Sequence, residues 1–148
     1  MALTQAMCTS FKQELLVATH NFTNTTGDAL NLALFRATAS IVGTFGAATT
    51  NYSSMGADEA SGTGYSAGGS TLTNVTPSTS GTTALTDFAD LVFSAVTITA
   101  SGCLIYNSSK SNKAVGVFDF GSDKTATAGD LTILFPAADA SNAVIRLT

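Results

Sequence analysis

The sequence is poor in the residues that carry most protein chemistry. It has one histidine, two cysteines, two prolines and no tryptophan. Charged residues make up only 11% of its 148 positions, less than half of the usual share of about 25%. A catalytic triad needs a histidine held between two partners, and the chain has only His20, at the end of the predicted N-terminal helix. We therefore interpret His20 as a packing or solvent-facing side chain and predict no catalytic residues and no enzymatic activity.

Metal and cofactor motifs are also missing. A zinc site needs clustered Cys and His, which one histidine and two distant cysteines cannot supply. Two aspartate pairs, Asp119 with Asp123 and Asp87 with Asp90, offer oxygen ligands for calcium but do not match the twelve-residue calcium loop. We interpret them as ordinary turn aspartates and predict no metal and no cofactor.

The formal net charge of -4 and the scattered positions of the six basic residues argue against nucleic acid as a partner. No segment reaches the 18 apolar residues of a membrane span, and residues 1–4 lack the start of a secretory signal. We expect no membrane association and a mature chain that begins here. Cys8 and Cys103 lie far apart in a chain of a size that needs no disulfide, so we predict two reduced core thiols.

The hydrophobic share of 45% is enough for one core, and we predict a single domain over residues 1–148. Residues 1–22 are expected to form an amphipathic helix, with Thr4 as its N-cap. Its apolar residues recur every three or four positions: Leu3, Met7, Phe11, Leu15 and Ala18. This stripe either covers a sheet or docks on a neighbouring subunit, which makes Met7, Phe11 and Leu15 candidate interface residues.

Residues 29–148 are predicted to form an antiparallel β-sandwich, jelly-roll-like, from seven or eight short strands. Alternation predicts strands at 30–35, 70–75, 88–93, 95–106, 114–120, 130–135 and 143–147. Pro77 is expected to end the strand at 70–75, ahead of a loop at 78–83, and Gly102 to mark a bulge or bend. Residues 37–51 are interpreted as a weak edge strand with loops, and 53–69 as a long irregular connection.

Four glycines surround Tyr65 within residues 61–69. A phosphate-binding loop of the Walker type would need a lysine after the last glycine, and a dinucleotide fingerprint would need a βαβ unit; neither is present. We instead predict a rigid connection that places Tyr65 against the sandwich or against a neighbouring subunit. Tyr65 is therefore a fourth candidate interface residue.

Several stretches resemble a group of small structural proteins from the virions of tailed bacteriophages. They include the sequence Glu-Ala-Ser-Gly-Thr-Gly-Tyr-Ser-Ala-Gly-Gly at 59–69, and also residues 1–3 with the helix, 28–34, 96–100, 105–107, 117–121 and 131–136. The resemblance covers most of the chain, although Ala60 replaces the bulkier valine of the family's loop. Its shared motifs are strand and turn patterns rather than catalytic signatures.

The resemblance implies a capsid decoration or cement protein in the virion. Such a protein binds between capsomers of the head, with the major capsid protein or another virion protein as partner, and a homotrimer is the favoured assembly. The uncharged polar surface suits repeated contacts at symmetry-related sites. Two alternatives stay open: a tail, fibre or baseplate subunit, and a receptor-binding or carbohydrate-binding module.

Overall fold

Two antiparallel sheets and one helix make up the regular structure in a computed structural model that describes residues 2–148. The prediction of an all-β sandwich with one short N-terminal helix is confirmed. In chain order the elements are β1 (Ala6–Met7), α1 (Thr9–Leu16), β2 (Leu30–Phe35), β3 (Ser70–Thr71), β4 (Asn74–Ser80), β5 (Thr83–Phe88), β6 (Leu91–Asn107), β7 (Lys113–Ile133) and β8 (Ile145–Leu147).

The larger sheet is built around the β6–β7 hairpin, in the order β1-β7-β6-β2-β3. The separate strands predicted at 114–120 and 130–135 are wrong, because β7 runs for 21 residues through both. Its middle lacks apolar alternation, yet it still pairs with β6 because ladder hydrogen bonds are made by the backbone. The register shifts between Ala100 and Gly102, which confirms the irregularity predicted at Gly102.

The smaller sheet has the order β4-β5-β8. The prediction that Pro77 ends a strand is wrong, and so is the predicted loop at 78–83, because β4 continues through Pro77 to Ser80. Strand β4 lies at the edge of its sheet, and its register with β5 shifts between Val75 and Ser78. An edge strand tolerates proline where no ladder partner needs its missing N–H. The strand predicted at 88–93 is also wrong, since β5 ends at Phe88 and β6 starts at Leu91.

The helix is shorter than the predicted span of 1–22. Residues Ala6–Met7 instead pair with β7, where Ala6 lies opposite Val117. The N-cap is Cys8 rather than Thr4, whose N–H donates to the carbonyl of Phe45. Spacing of three to four residues fits a helix, but it does not exclude a short strand before it.

The connections are mostly irregular. Residues 37–51 do not form the predicted edge strand; they contain a 3-10 turn at Thr38–Ser40 and isolated bridges at Phe45 and Asn51. Residues 53–69 are irregular, as predicted, with 3-10 turns at Tyr52–Ser54 and Gly56–Asp58.

Apolar side chains from both sheets and from α1 form one continuous core. Cys8 and Cys103 are buried in it and unpaired, as predicted. Burial, assisted by the charge of Glu14, raises the pKa of the Cys8 thiol to about 11. Burial also raises the pKa of Cys103.

Candidate functional site

The helical stripe predicted as an interface lies mostly inside the chain. Phe11 has no exposed surface, and its ring centroid lies 4.9 Å from that of His20 and 5.9 Å from that of Phe22. Met7 and Leu15 are half-buried and pack against the core. The stripe therefore fastens α1 to the chain's own sheets, and of the three residues Met7 and Leu15 keep surface that a second protein can reach.

An apolar groove lies between the end of α1 and the smaller sheet. Its volume is about 170 Å³, and its lining residues are Leu15, Phe22, Pro77, Ala84, Leu85, Thr86, Ile145 and Leu147. The side chains of Leu16, Val17 and Leu147 are 88%, 61% and 55% exposed. We call the groove and these three residues the apolar patch. Leu16 and Val17 directly follow the groove residue Leu15 in the chain, and Leu147 itself lines the groove. Large exposed apolar patches mark interaction sites in soluble proteins.

Sequence reasoning missed Leu16, Val17 and Leu147 as interface candidates. A signal was present, because Leu15, Leu16 and Val17 are three consecutive apolar residues. Successive side chains on a helix point about 100° apart, so a run of three cannot all face the core. No comparable local signal marks Leu147, which lies in the edge strand β8.

The glycine-rich loop is held by Glu59. Its carboxylate accepts hydrogen bonds from the hydroxyls of Tyr52 (2.6 Å) and Tyr65 (2.8 Å) and from the N–H of Gly68 (2.7 Å). The Tyr65 hydroxyl also accepts from the N–H of Leu34 at 2.9 Å. Burial and the charge of Glu59 raise the pKa of Tyr65, against the opposing effect of the Leu34 bond, so its hydroxyl stays a donor.

Further contacts hold the glycine-rich loop, residues 61–69, against the larger sheet. Tyr106 donates to the Gly68 carbonyl at 2.7 Å and stacks on Tyr52 with 4.6 Å between ring centroids. Gly69 has φ +72°, and a Cβ there would collide with a carbonyl oxygen of β2. The Tyr65 ring lies 5.6 Å from that of Phe93. The structure therefore places Tyr65 against its own sandwich and shows no contact between it and the other three candidates.

Asp58 fixes the neighbouring loop in the same way. Its carboxylate accepts from Nε and Nη2 of Arg36 at 3.1 and 2.6 Å, and from the N–H groups of Val42 and Gly43 at 2.9 and 2.7 Å. Burial alone would raise the pKa of Asp58, but these bonds and the Arg36 charge lower it. The carboxylate thus stays ionised and bridges two loops.

His20 is a packing residue whose side chain is fully buried. Its Nε2 lies 2.7 Å from Oε2 of Glu14, and its Nδ1 lies 2.9 Å from Nδ2 of Asn107. Lys113 donates to the other oxygen of Glu14 at 2.7 Å. Both ring nitrogens are engaged, so neither is free to activate a nucleophile in this arrangement.

The four aspartates considered as calcium ligands cap backbone N–H groups instead. Asp87 accepts from Phe88 and Val144, Asp90 from Phe135, Asp119 from Gly121, and Asp123 from Thr38. Burial, with the charges of Asp139 and Asp90, raises the pKa of Asp87. Within residues 2–148 no three His, Cys, Asp or Glu side chains are grouped so as to hold a metal ion.

An open cleft of about 380 Å³ lies beside Arg36. Polar side chains among its lining residues are Arg36, Ser40, Glu59, Ser61, Thr97, Thr99 and Thr125.

Among the described residues no helix has the length and apolar character needed to cross a bilayer. No protein-family model, curated protein or solved structure matches the chain.

Proposed function

We propose that the chain is a non-enzymatic structural protein of a bacteriophage virion, and specifically a decoration or cement protein that stabilises the head by binding between capsomers. The observation that supports this most directly is the apolar patch, which lies on a surface otherwise dominated by uncharged polar residues. The resemblance of residues 59–69 and of the strand segments to such proteins adds to it.

The size of the apolar patch limits the binding affinity that one copy of it can provide. Burying an aliphatic side chain completely stabilises by about 1.5–3 kcal/mol, so the partly exposed Leu16, Val17 and Leu147 together contribute on the order of 4 kcal/mol. Free energy of that size corresponds to a millimolar dissociation constant at best. A homotrimer that docks three patches at once would gain avidity at a symmetric capsid site, which is why we favour a trimer.

Binding to purified phage heads from which the tails have been removed tests this proposal. We expect the protein to bind such heads at a fixed ratio to the major capsid protein, counted by quantitative mass spectrometry, with hundreds of copies per particle. Replacing Leu16 and Val17 by serine should weaken binding at least tenfold. Val42→Ser is the matched control, because Val42 is 71% exposed and is not part of the apolar patch. Absence from tail-free heads, or equal binding by both variants, would refute the proposal.

The alternative of a carbohydrate-binding or receptor-binding module is favoured by the cleft beside Arg36, whose hydroxyl-rich lining suits sugar hydroxyls. A bulky Ser61→Trp change should block it, and Ser54→Trp is a control at an exposed position outside the cleft. Adhesion of the free wild-type domain to host cells, lost in the first variant and kept in the second, would support this alternative. A handful of copies per particle would instead indicate a fibre or baseplate subunit.

A further inference from the structure

The sandwich has an open side, along which no strand of residues 2–148 joins the two sheets. Strand β1 is the last strand of the larger sheet on this side, and β8 is the last strand of the smaller one. A cleft of about 350 Å³ lies between them, and a second cleft of about 270 Å³ adjoins it, since Gln5, Phe118 and Val144 line both. We call the two lobes together the edge cleft.

The wall of the edge cleft is mainly apolar. Phe118, Phe120 and Phe135 line the first lobe together with Ile133, and the second lobe extends to Met7. All five side chains are only partly buried by the chain's own core. Pockets that bind small molecules have volumes of about 300–1,000 Å³ and apolar, aromatic walls with few polar groups. Because the second lobe adds length to the first, the edge cleft suits an extended aliphatic ligand.

Arg146 is the only charged side chain that lines either lobe. The other polar side chains with N or O atoms in the lining belong to Gln5 and Asn142, and both are uncharged. No carboxylate of the lining is therefore present to bind a cationic ligand. The charge of the edge cleft favours an anionic group at the end where Arg146 lies.

The loop at 137–142 holds the Arg146 guanidinium in place. Its Nη1 donates to the carbonyls of Ala140 and Ser141. The Asp139 carboxylate fixes the same loop by accepting from the N–H groups of Ser141 and Asn142 and from the Asn142 amide. Bonds from Asn142 and Ser141, with the charge of Arg146, lower the pKa of Asp139, so it stays ionised and bound to its own loop.

The guanidinium keeps donors for a ligand. It has five N–H groups, and the two carbonyls occupy only those of Nη1. None of the ion pairs within residues 2–148 includes Arg146. A guanidinium matches a carboxylate especially well, because two parallel N–H groups can bond its two oxygens.

We propose that the edge cleft binds an aliphatic carboxylate of the fatty-acid type. The carboxylate pairs with Arg146, and the chain runs past Phe118 toward Met7. A small inorganic anion would leave the apolar walls without contact, and a plain hydrocarbon would leave the guanidinium without a partner. The edge cleft shares only Ile145 with the lining of the groove in the apolar patch, and the proposal does not depend on the proposed function.

Titration of the protein with dodecanoate at pH 7.5, below the micellar range, is the first test. In a protein with ¹³C-labelled methionine methyl groups, the Met7 signal should shift and saturate. Met55 is the internal reference, because it is buried in the core and lines neither lobe. Dodecanol should bind more weakly than dodecanoate, and dodecyltrimethylammonium most weakly. A Met7 signal that does not saturate, or equal binding of the cation and the carboxylate, would overturn the proposal.

Substitution of Arg146 is the second test. A hydrogen bond to a charged group at this exposed position is expected to strengthen binding about tenfold, so Arg146→Gln should weaken dodecanoate binding by that factor and leave dodecanol binding unchanged. Lys124→Gln is the matched control, because it makes the same charge change at an exposed residue that lines neither lobe. Equal dodecanoate affinity in Arg146→Gln and wild type would refute the assignment of the carboxylate site.

Two further variants locate the bound chain. Val144→Trp fills the junction of the two lobes and should abolish binding of both dodecanoate and dodecanol, with folding checked by circular dichroism. Replacing Leu16 and Val17 by serine should leave both affinities unchanged, since neither residue lines the edge cleft. Loss of binding in the serine variant would mean that the ligand lies on the apolar patch and would refute the proposal.

Discussion

Replacing Tyr65 by phenylalanine removes one hydroxyl while keeping the ring that packs on Phe93. The hydroxyl donates to Glu59 and accepts from the N–H of Leu34. A hydrogen bond to a charged group contributes about 1.5–3 kcal/mol, and a buried donor left without a partner costs about 1–3 kcal/mol. Because Tyr65 is only half-buried, we take the lower part of both ranges and expect the unfolding free energy to fall by about 3 kcal/mol. For a chain of this length that lowers Tm by roughly 6–12 °C, measured by circular dichroism.

Tyr106→Phe is the matched control. Its hydroxyl donates to the carbonyl of Gly68, and a neutral hydrogen bond of this kind contributes about 1 kcal/mol. In urea titrations, the loss of unfolding free energy should therefore be about twofold to threefold larger for Tyr65→Phe than for Tyr106→Phe. Equal losses, or a loss below about 1 kcal/mol for Tyr65→Phe, would mean that the Glu59 network does not hold the glycine loop.

Three further predictions concern stability and reactivity. The raised pKa of Asp87 means that its ionised form destabilises the fold. This penalty is absent below the ordinary carboxyl range and grows as pH rises through the folded-state pKa. In urea titrations Asp87→Asn should therefore gain stability relative to wild type between pH 4 and 7, and a difference that does not change with pH would contradict this. Gly69→Ala should lower the unfolding free energy by at least about 2 kcal/mol in the same assay. Gly81 also has positive φ but lies in open space, so Gly81→Ala should lower it by only about 1 kcal/mol. Cys8 and Cys103 should resist iodoacetamide at pH 7.5 until urea unfolds the chain, because the thiolate is the reactive form, and rapid labelling of the native protein would show that they are not buried.

The parts of the fold that follow from local pattern were predictable. Alternation of Leu30, Leu32 and Leu34 predicted β2, and the structure confirms a strand at Leu30–Phe35. Gly102 in the longest β pattern predicted an irregularity, and the register of β6 shifts next to it. Both signals are local, since they depend on the residues of one strand and not on which strand lies beside it.

The errors arose where a distant partner decides the structure. Met7 has helical spacing from Phe11, but a backbone pairing with Gly116 draws it into β1. Pro77 stays in β4 because the edge position does not require its N–H. Such partners lie far away in sequence, so no window of neighbouring residues contains the information.

The candidate site was predicted only in part. Tyr65 was expected against the sandwich or a neighbour, and the structure shows the first of these contacts. His20 was expected to be non-catalytic, but its burial between Glu14 and Asn107 was not foreseen, because their separation in the chain gives no local cue. Contact of Met7, Phe11, Leu15 or Tyr65 with another protein remains a prediction.

The pairing of β1 with β7 also sets the order in which the chain can fold during synthesis. Ala6–Met7 have no strand to join until Val117 and Gly116 have left the ribosome, and Glu14 has no ammonium partner until Lys113 has followed. For most of translation the helix segment therefore presents Phe11 to solvent beside incomplete sheets with open edges. Such chains fold slowly and are prone to aggregation while they wait.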